Sequence, residues 1–271
     1  MPGEPLAEAA LAAAVELARA RWGQRLIASY ALGSLAHGGF SQLVSDVDLG
    51  LVLEGPLVEA DAQRVAVLGR EIDLPLADRL SVFWGSQATL EGDGSAGRFP
   101  PLDRLDLIRH GRLLYGVDVR EGLPVPSQQE LVVKGAESGL GLVRRPAYRE
   151  ALSTPASLLS AGPKPLTKTI LFPVRFMYTA RTGEIGRNHD AAEHFARTER
   201  GPMGELAAAA LRWRDDPPST QDASAAVLLT EGLRPIYELF LADHAERMDS
   251  YGQSELADQL RAELQSLTTL M

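Results

Sequence analysis

The sequence contains no cysteine, which removes disulfide bridges, thiol nucleophiles and cysteine-ligated zinc together and fits a reducing compartment. Lysine is almost as scarce, at Lys134, Lys164 and Lys168 only, and 36 Asp plus Glu against 27 Lys plus Arg leave a net charge of −9. A chain of that sign lacks the clustered positive charge that displaces counterions, so nucleic acid is not the expected main partner. No uncharged apolar run approaches the roughly 18 residues of a transmembrane helix. The N-terminal stretch Leu6 to Ala20 is interrupted by Glu8, Glu16 and Arg19, so it reads as an amphipathic helix rather than a signal peptide, and a cytoplasmic protein is expected. What is present is ordinary globular composition, 45% hydrophobic and 23% charged, which excludes disorder as the main state. The acidic balance suits a cationic ligand.

The 271 residues are enough for two domains. The first part alternates between periods. Helical spacing over 5–25 is followed by strands at Leu26 to Leu32 and Val47 to Leu53, then helical spacing over 57–71. A third strand is expected at Arg79 to Trp84, a loop from Gly85 to Pro101, a helix from Leu102 to His110 and a short strand from Arg112 to Tyr115. Gly122-Leu123-Pro124-Val125-Pro126-Ser127 marks a boundary, and the patterns beyond it are almost all helical. The best are Thr167 to Thr182, Asp190 to Thr198, Gly204 to Trp213, Ala223 to His244 and Ser254 to Leu267. Pro173 and Pro235 fall inside two of them and are expected to kink them. The fold class is therefore an α/β (α+β) domain over residues 1–125 followed by an all-α helical-bundle domain over 126–271.

One segment carries chemistry: Gly33-Ser34 at the end of the first strand, then Asp46-Val47-Asp48 at the start of the second. Two residues apart on a strand, Asp46 and Asp48 project from the same face, while Val47, Leu49, Leu51 and Leu53 take the other. Adjacent carboxylates repel unless a cation lies between them. Hard oxygen ligands on a rigid strand suit Mg²⁺, which keeps water and takes further ligands from substrate phosphates. Gly33 lets the backbone approach an anion closely, and the Ser34 hydroxyl can donate to a phosphate oxygen. Metal and phosphate sites that face each other are what nucleotidyl transfer requires.

Gly33-Ser34 followed by Ser45-Asp46-Val47-Asp48 resembles the signature of the polymerase-β-like nucleotidyltransferase superfamily. The later block from Arg175 to Ile185, leading into Ala191-Ala192-Glu193, is similar to the helical domain of streptomycin/spectinomycin adenylyltransferases. The resemblance implies a small mixed sheet in the first domain and a nucleotide held between the two. It implies Mg²⁺ on Asp46 and Asp48, and ATP or another NTP with its β- and γ-phosphates on Gly33 and Ser34. Ser45 belongs to the same nucleotide-binding set, and Arg175 matches an arginine that contacts phosphate. The family's second phosphate contact, usually lysine, falls on Asn188, with Arg187 beside it to take over. The family's third carboxylate, a metal ligand or base on the next central strand, falls on Arg79 or Ser81. Asp78 is one residue off, which on a regular strand is the opposite face; it is carried as the third catalytic acid, with Asp103 and Asp106 as substitutes. A positioned base is worth roughly 10²–10⁴-fold, so its identity matters.

The expected activity is transfer of AMP, or another NMP, to a hydroxyl of a small acceptor, with an aminoglycoside-like antibiotic as the best choice. Glu184, Asp190 and Glu193 form an acidic group suited to such an acceptor. Two other classes stay open: a nucleotide-binding regulator without turnover, and AMP transfer to a protein side chain, as an antitoxin performs.

Overall fold

The computed structural model describes residues 4–93 and 96–269. The chain divides into two compact units, Met1–Pro126 and Ser127–Met271.

In the first unit, α1 (Glu4–Trp22) precedes β1 (Leu26–Leu32) and the single-turn helix α2 (Gly33–His37). Then come β2 (Val47–Leu53), α3 (Glu59–Val67), β3 (Leu80–Gly85), α4 (Gln87–Glu91), α5 (Pro101–His110) and β4 (Arg112–Gly116). The sheet is four-stranded and mixed, in the order β3-β2-β1-β4. Strand β2 runs parallel to β3, and β1 runs antiparallel to both β2 and β4. The alternation of β2 sorts its side chains between two cores. Val47, Leu49, Leu51 and Leu53 are fully buried with Ala7, Leu11, Ala14 and Trp22 of α1. On the other face Val52 joins Tyr30, Leu32, Phe99 and Leu107 of α5. Each such Leu contributes about 1.5–3 kcal/mol by leaving water. Asp48 shares the parity of Val52, so it projects from the face that α5 covers.

Two expectations for this unit are corrected. Within the span read as a loop, residues 87–91 form α4, because Ser86 and Thr89 close a capping box in which Thr89 Oγ1 accepts the Ser86 amide at 3.0 Å. Strand β3 starts at Leu80 rather than Arg79, since residues 77–79 make a 3₁₀ turn.

The second unit is helical: α6 (Gln128–Val143), α7 (Pro146–Ser153), α8 (Pro163–Thr182), α9 (Asn188–Thr198), α10 (Pro202–Arg212), α11 (Ala223–Ser250) and α12 (Ser254–Thr269). Helices α8 and α11 run on as single helices past Pro173 and Pro235. Their inward faces, with Ile170, Val174, Met177, Ile236, Phe240 and Leu241, form the core of the bundle. Helix α6 packs closely because it carries glycine: a Cβ on Gly139 would come within 2.3 Å of the Phe240 ring. Among the described residues, no helix is long and apolar enough to cross a membrane.

Candidate active site

The site in the first unit is built around Gly33. Strand β1 ends at Leu32, which pairs with Asp48 on β2, so the antiparallel register sets the start of α2 beside the acidic strand. Gly33 adopts φ +60°, a left-handed conformation that costs other L-residues roughly 1–2 kcal/mol. Space excludes them as well. A Cβ at Gly33 would lie 2.3 Å from Asp48 Oδ2, so that carboxylate occupies the volume a side chain would fill. Asp46 and Asp48 are both half-buried.

A second carboxylate reaches the same glycine. The Gly33 amide donates to Asp106 Oδ2 at 2.7 Å. Asp106 lies on α5, is 6% exposed, and its buried Oδ1 has no hydrogen-bond partner among the described residues. An orphaned polar atom of that kind costs about 1–3 kcal/mol. The Gly33 N–H, assigned to phosphate from the sequence, is therefore already occupied, and the amides led by Ser34 are the ones left for an anion. Ser45 is 6% exposed, and its Oγ accepts the Ser41 amide at 3.0 Å, which closes the loop into β2. His37 meets His110 of α5 edge-on, ring centroids 5.7 Å apart, as a further tie between α2 and α5.

Strand β3 carries no acidic residue. Asp48 pairs in register with Ser81. Arg79 turns its guanidinium to the Gln42 carbonyl at 2.5 Å, and Asp78 is exposed in the 3₁₀ turn ahead of the strand. Among the described residues, no three His, Asp or Glu side chains are grouped to hold a metal. The donor set nevertheless fits Mg²⁺: two half-buried carboxylates at a strand end supply hard oxygens, and this ion takes its remaining ligands from water and phosphate.

In the helical unit, Arg175 of α8 is half-buried and donates Nε to the Gly186 carbonyl at 2.5 Å. Arg187, just before α9, holds Asp190 Oδ2 at 2.5 Å. Asn188, at the position of the family's lysine, opens α9. A residue missed in the sequence lies nearby: Arg214, 6% exposed, whose guanidinium burial pushes below its usual pKa; Asp215 opposes this, and the like charge of Arg175 adds to it. The signal available was an Arg in the Trp213-Arg214-Asp215 run after an Ala-rich helix, which carries no motif. The proposed acidic group is largely partnered from within. Asp190 faces Arg187, and Glu193 lies 3.4 Å from His189 and 3.8 Å from Arg197. Glu184 is exposed.

A mixed four-stranded sheet with a Gly-Ser turn ahead of Asp46-Val47-Asp48, followed by a helical second unit, makes up the described fold. Among solved structures, the chain is similar to the spectinomycin adenyltransferase AAD(9) from Enterococcus faecialis, determined with ATP and spectinomycin. The match has a TM-score of 0.57 at 16% identity and covers 82% of this chain and 95% of that one. Similarity at that identity is one of fold. No protein-family model matches the chain, and no curated protein matches it.

Proposed function

We propose that the protein is a Mg²⁺-dependent nucleotidyltransferase that moves AMP from ATP to a hydroxyl of a small, aminoglycoside-like acceptor. The observation that carries this reading is the contact of the Asp48 carboxylate with Gly33 at the head of α2, on a nucleotidyltransferase fold. It joins one of the two metal-type carboxylates to a backbone turn suited to phosphate. Bound Mg²⁺ would supply charge neutralisation and Lewis acidity at the transferring phosphate. Asp46 and Asp48 would hold it. Ser34 and the amides after Gly33 take the β- and γ-phosphates, and Arg175, supported by the charge of Arg214, balances the leaving pyrophosphate. Asp78 stays a candidate for the acceptor's base only through a movement of the 3₁₀ turn. The acceptor class rests on the fold neighbour's spectinomycin and on the net charge of −9.

A second reading has its own support: with Ser81 beside Asp48 and Arg79 tied to Gln42, β3 offers no acid, which favours a nucleotide-binding regulator without turnover. Pyrophosphate release from Mg·ATP, measured with a panel of aminocyclitol and aminoglycoside acceptors, separates the two. Release that depends on one acceptor and disappears in Asp46→Ala/Asp48→Ala supports the enzyme. Tight Mg·ATP binding with no release for any acceptor supports the regulator, and label appearing on a polypeptide instead would indicate a protein acceptor.

A further inference from the structure

We propose that Asp106 is a positioning residue for nucleotide binding: it holds the Gly33 amide so that the turn presents Ser34 and the amides after it to the phosphates. The inference rests on the nucleotide-binding reading of this turn and deepens it. Gly33 is held from two sides, by Asp106 Oδ2 on its N–H at 2.7 Å and by Asp48 Oδ2 in the space where a Cβ would be. A left-handed glycine has no intrinsic reason to stay in one conformation, since it populates both signs of φ almost equally. The hydrogen bond from Asp106 supplies that reason. It is short, at 2.7 Å, and the carboxylate is buried on a helix that packs against both α2 and β1.

The cost borne at Asp106 supports the same conclusion. A leucine there would leave no orphaned oxygen, and the flanking Leu105 and Leu107 are buried apolar residues. Yet the position carries a carboxylate with one oxygen on Gly33 and the other, among the described residues, without a hydrogen-bond partner. An acceptor for this one amide is the service the side chain performs. Because Oδ1 is enclosed, Asp106 acts through Gly33 and not by touching the nucleotide.

The test measures Mg·ATP affinity of the full chain by calorimetric titration for wild type, Asp106→Asn, Asp106→Ala and Asp106→Leu. The amide exchange rate of Gly33 is followed alongside. Asn keeps an oxygen acceptor without the charge, and Leu keeps the volume and suits the apolar pocket if Ala fails to fold. The expected result is a loss of about 10- to 100-fold in affinity for Ala and Leu, with faster exchange at Gly33, and an Asn variant within about threefold of wild type. Wild-type affinity in the Leu variant would overturn the proposal. So would an Asn variant as weak as Leu, because charge and not the hold on Gly33 would then be the property in use. If the wild-type chain itself does not bind Mg·ATP, the nucleotide reading falls and takes this inference with it.

Discussion

The first unit gathers its candidate chemistry onto one glycine, whereas the helical unit distributes its charges over several helices. Gly33 is met by Asp48 from the neighbouring strand and by Asp106 from the covering helix, both placed by tertiary packing. In the helical unit, Arg187 holds Asp190 and Lys134 holds Glu137, each within one turn of helix, the first pair half-buried and the second exposed. Short-range pairs open to solvent on one side are worth about 0–1 kcal/mol and rearrange easily. The difference separates two kinds of residue. Around Gly33 a single methyl group has nowhere to go; the helical pairs have room to rearrange.

The largest effect of a single substitution should therefore come from Gly33→Ala. It adds a Cβ at 2.3 Å from Asp48 Oδ2 to a residue at φ +60°. Displacing that carboxylate by about an ångström should slow acceptor-dependent pyrophosphate release roughly 10²-fold or more, with circular dichroism unchanged. A wild-type rate would mean that this contact does not set the geometry of catalysis. A smaller split is expected in the helical unit. Arg175→Gln should raise the KM for ATP about tenfold, as loss of a charge-assisted phosphate contact would. Arg187→Gln, which gives up a half-buried pair with Asp190, should raise it less than about threefold. Equal effects would remove the distinction between the two arginines.

The smallest effect concerns stability at high pH. Burial, chiefly, lifts the Tyr30 phenol to about 12; its hydroxyl accepts the Val119 amide at 2.8 Å and donates to Asp118 at 3.0 Å. A pKa raised on folding favours the neutral form, so this contribution is complete below the unfolded value of about 10 and is lost as pH rises through about 12. Denaturant midpoints measured between those values should fall with pH in wild type and fall less in Tyr30→Phe. Identical slopes would show that Tyr30 is not the titrating group.

How far the sequence revealed all this depended on the range of the interactions. Strands β1 and β2 have the ends that their apolar patterns indicated, and period alone put Asp48 on the face opposite Val47, Leu49, Leu51 and Leu53, whereas Asp46, expected on the same strand face, precedes β2. The hold of Asp106 on Gly33 could not be read that way, because it arises only when α5 packs over the sheet. Asp106 entered the sequence reading merely as a spare acid. Helix α6 was not among the helices picked out, since Gly135, Gly139 and Gly141 lower its helical propensity. The overlooked signal was local: Ser127 and Glu130 form a capping box, with the Ser127 amide donating to Glu130 Oε2 at 2.8 Å. The glycines that obscured the helix serve its packing, as the approach of Phe240 to Gly139 makes plain.

The central claim is that the chain transfers a nucleotidyl group, and radiolabel position tests it most directly. The protein would be incubated with Mg²⁺, acceptor and ATP labelled either at the α- or at the γ-phosphate. The account predicts that α-label moves onto the acceptor while γ-label leaves in pyrophosphate, and that neither occurs in Asp46→Ala/Asp48→Ala. Transfer of γ-label to the acceptor, or α-label transfer undiminished in that variant, would contradict it.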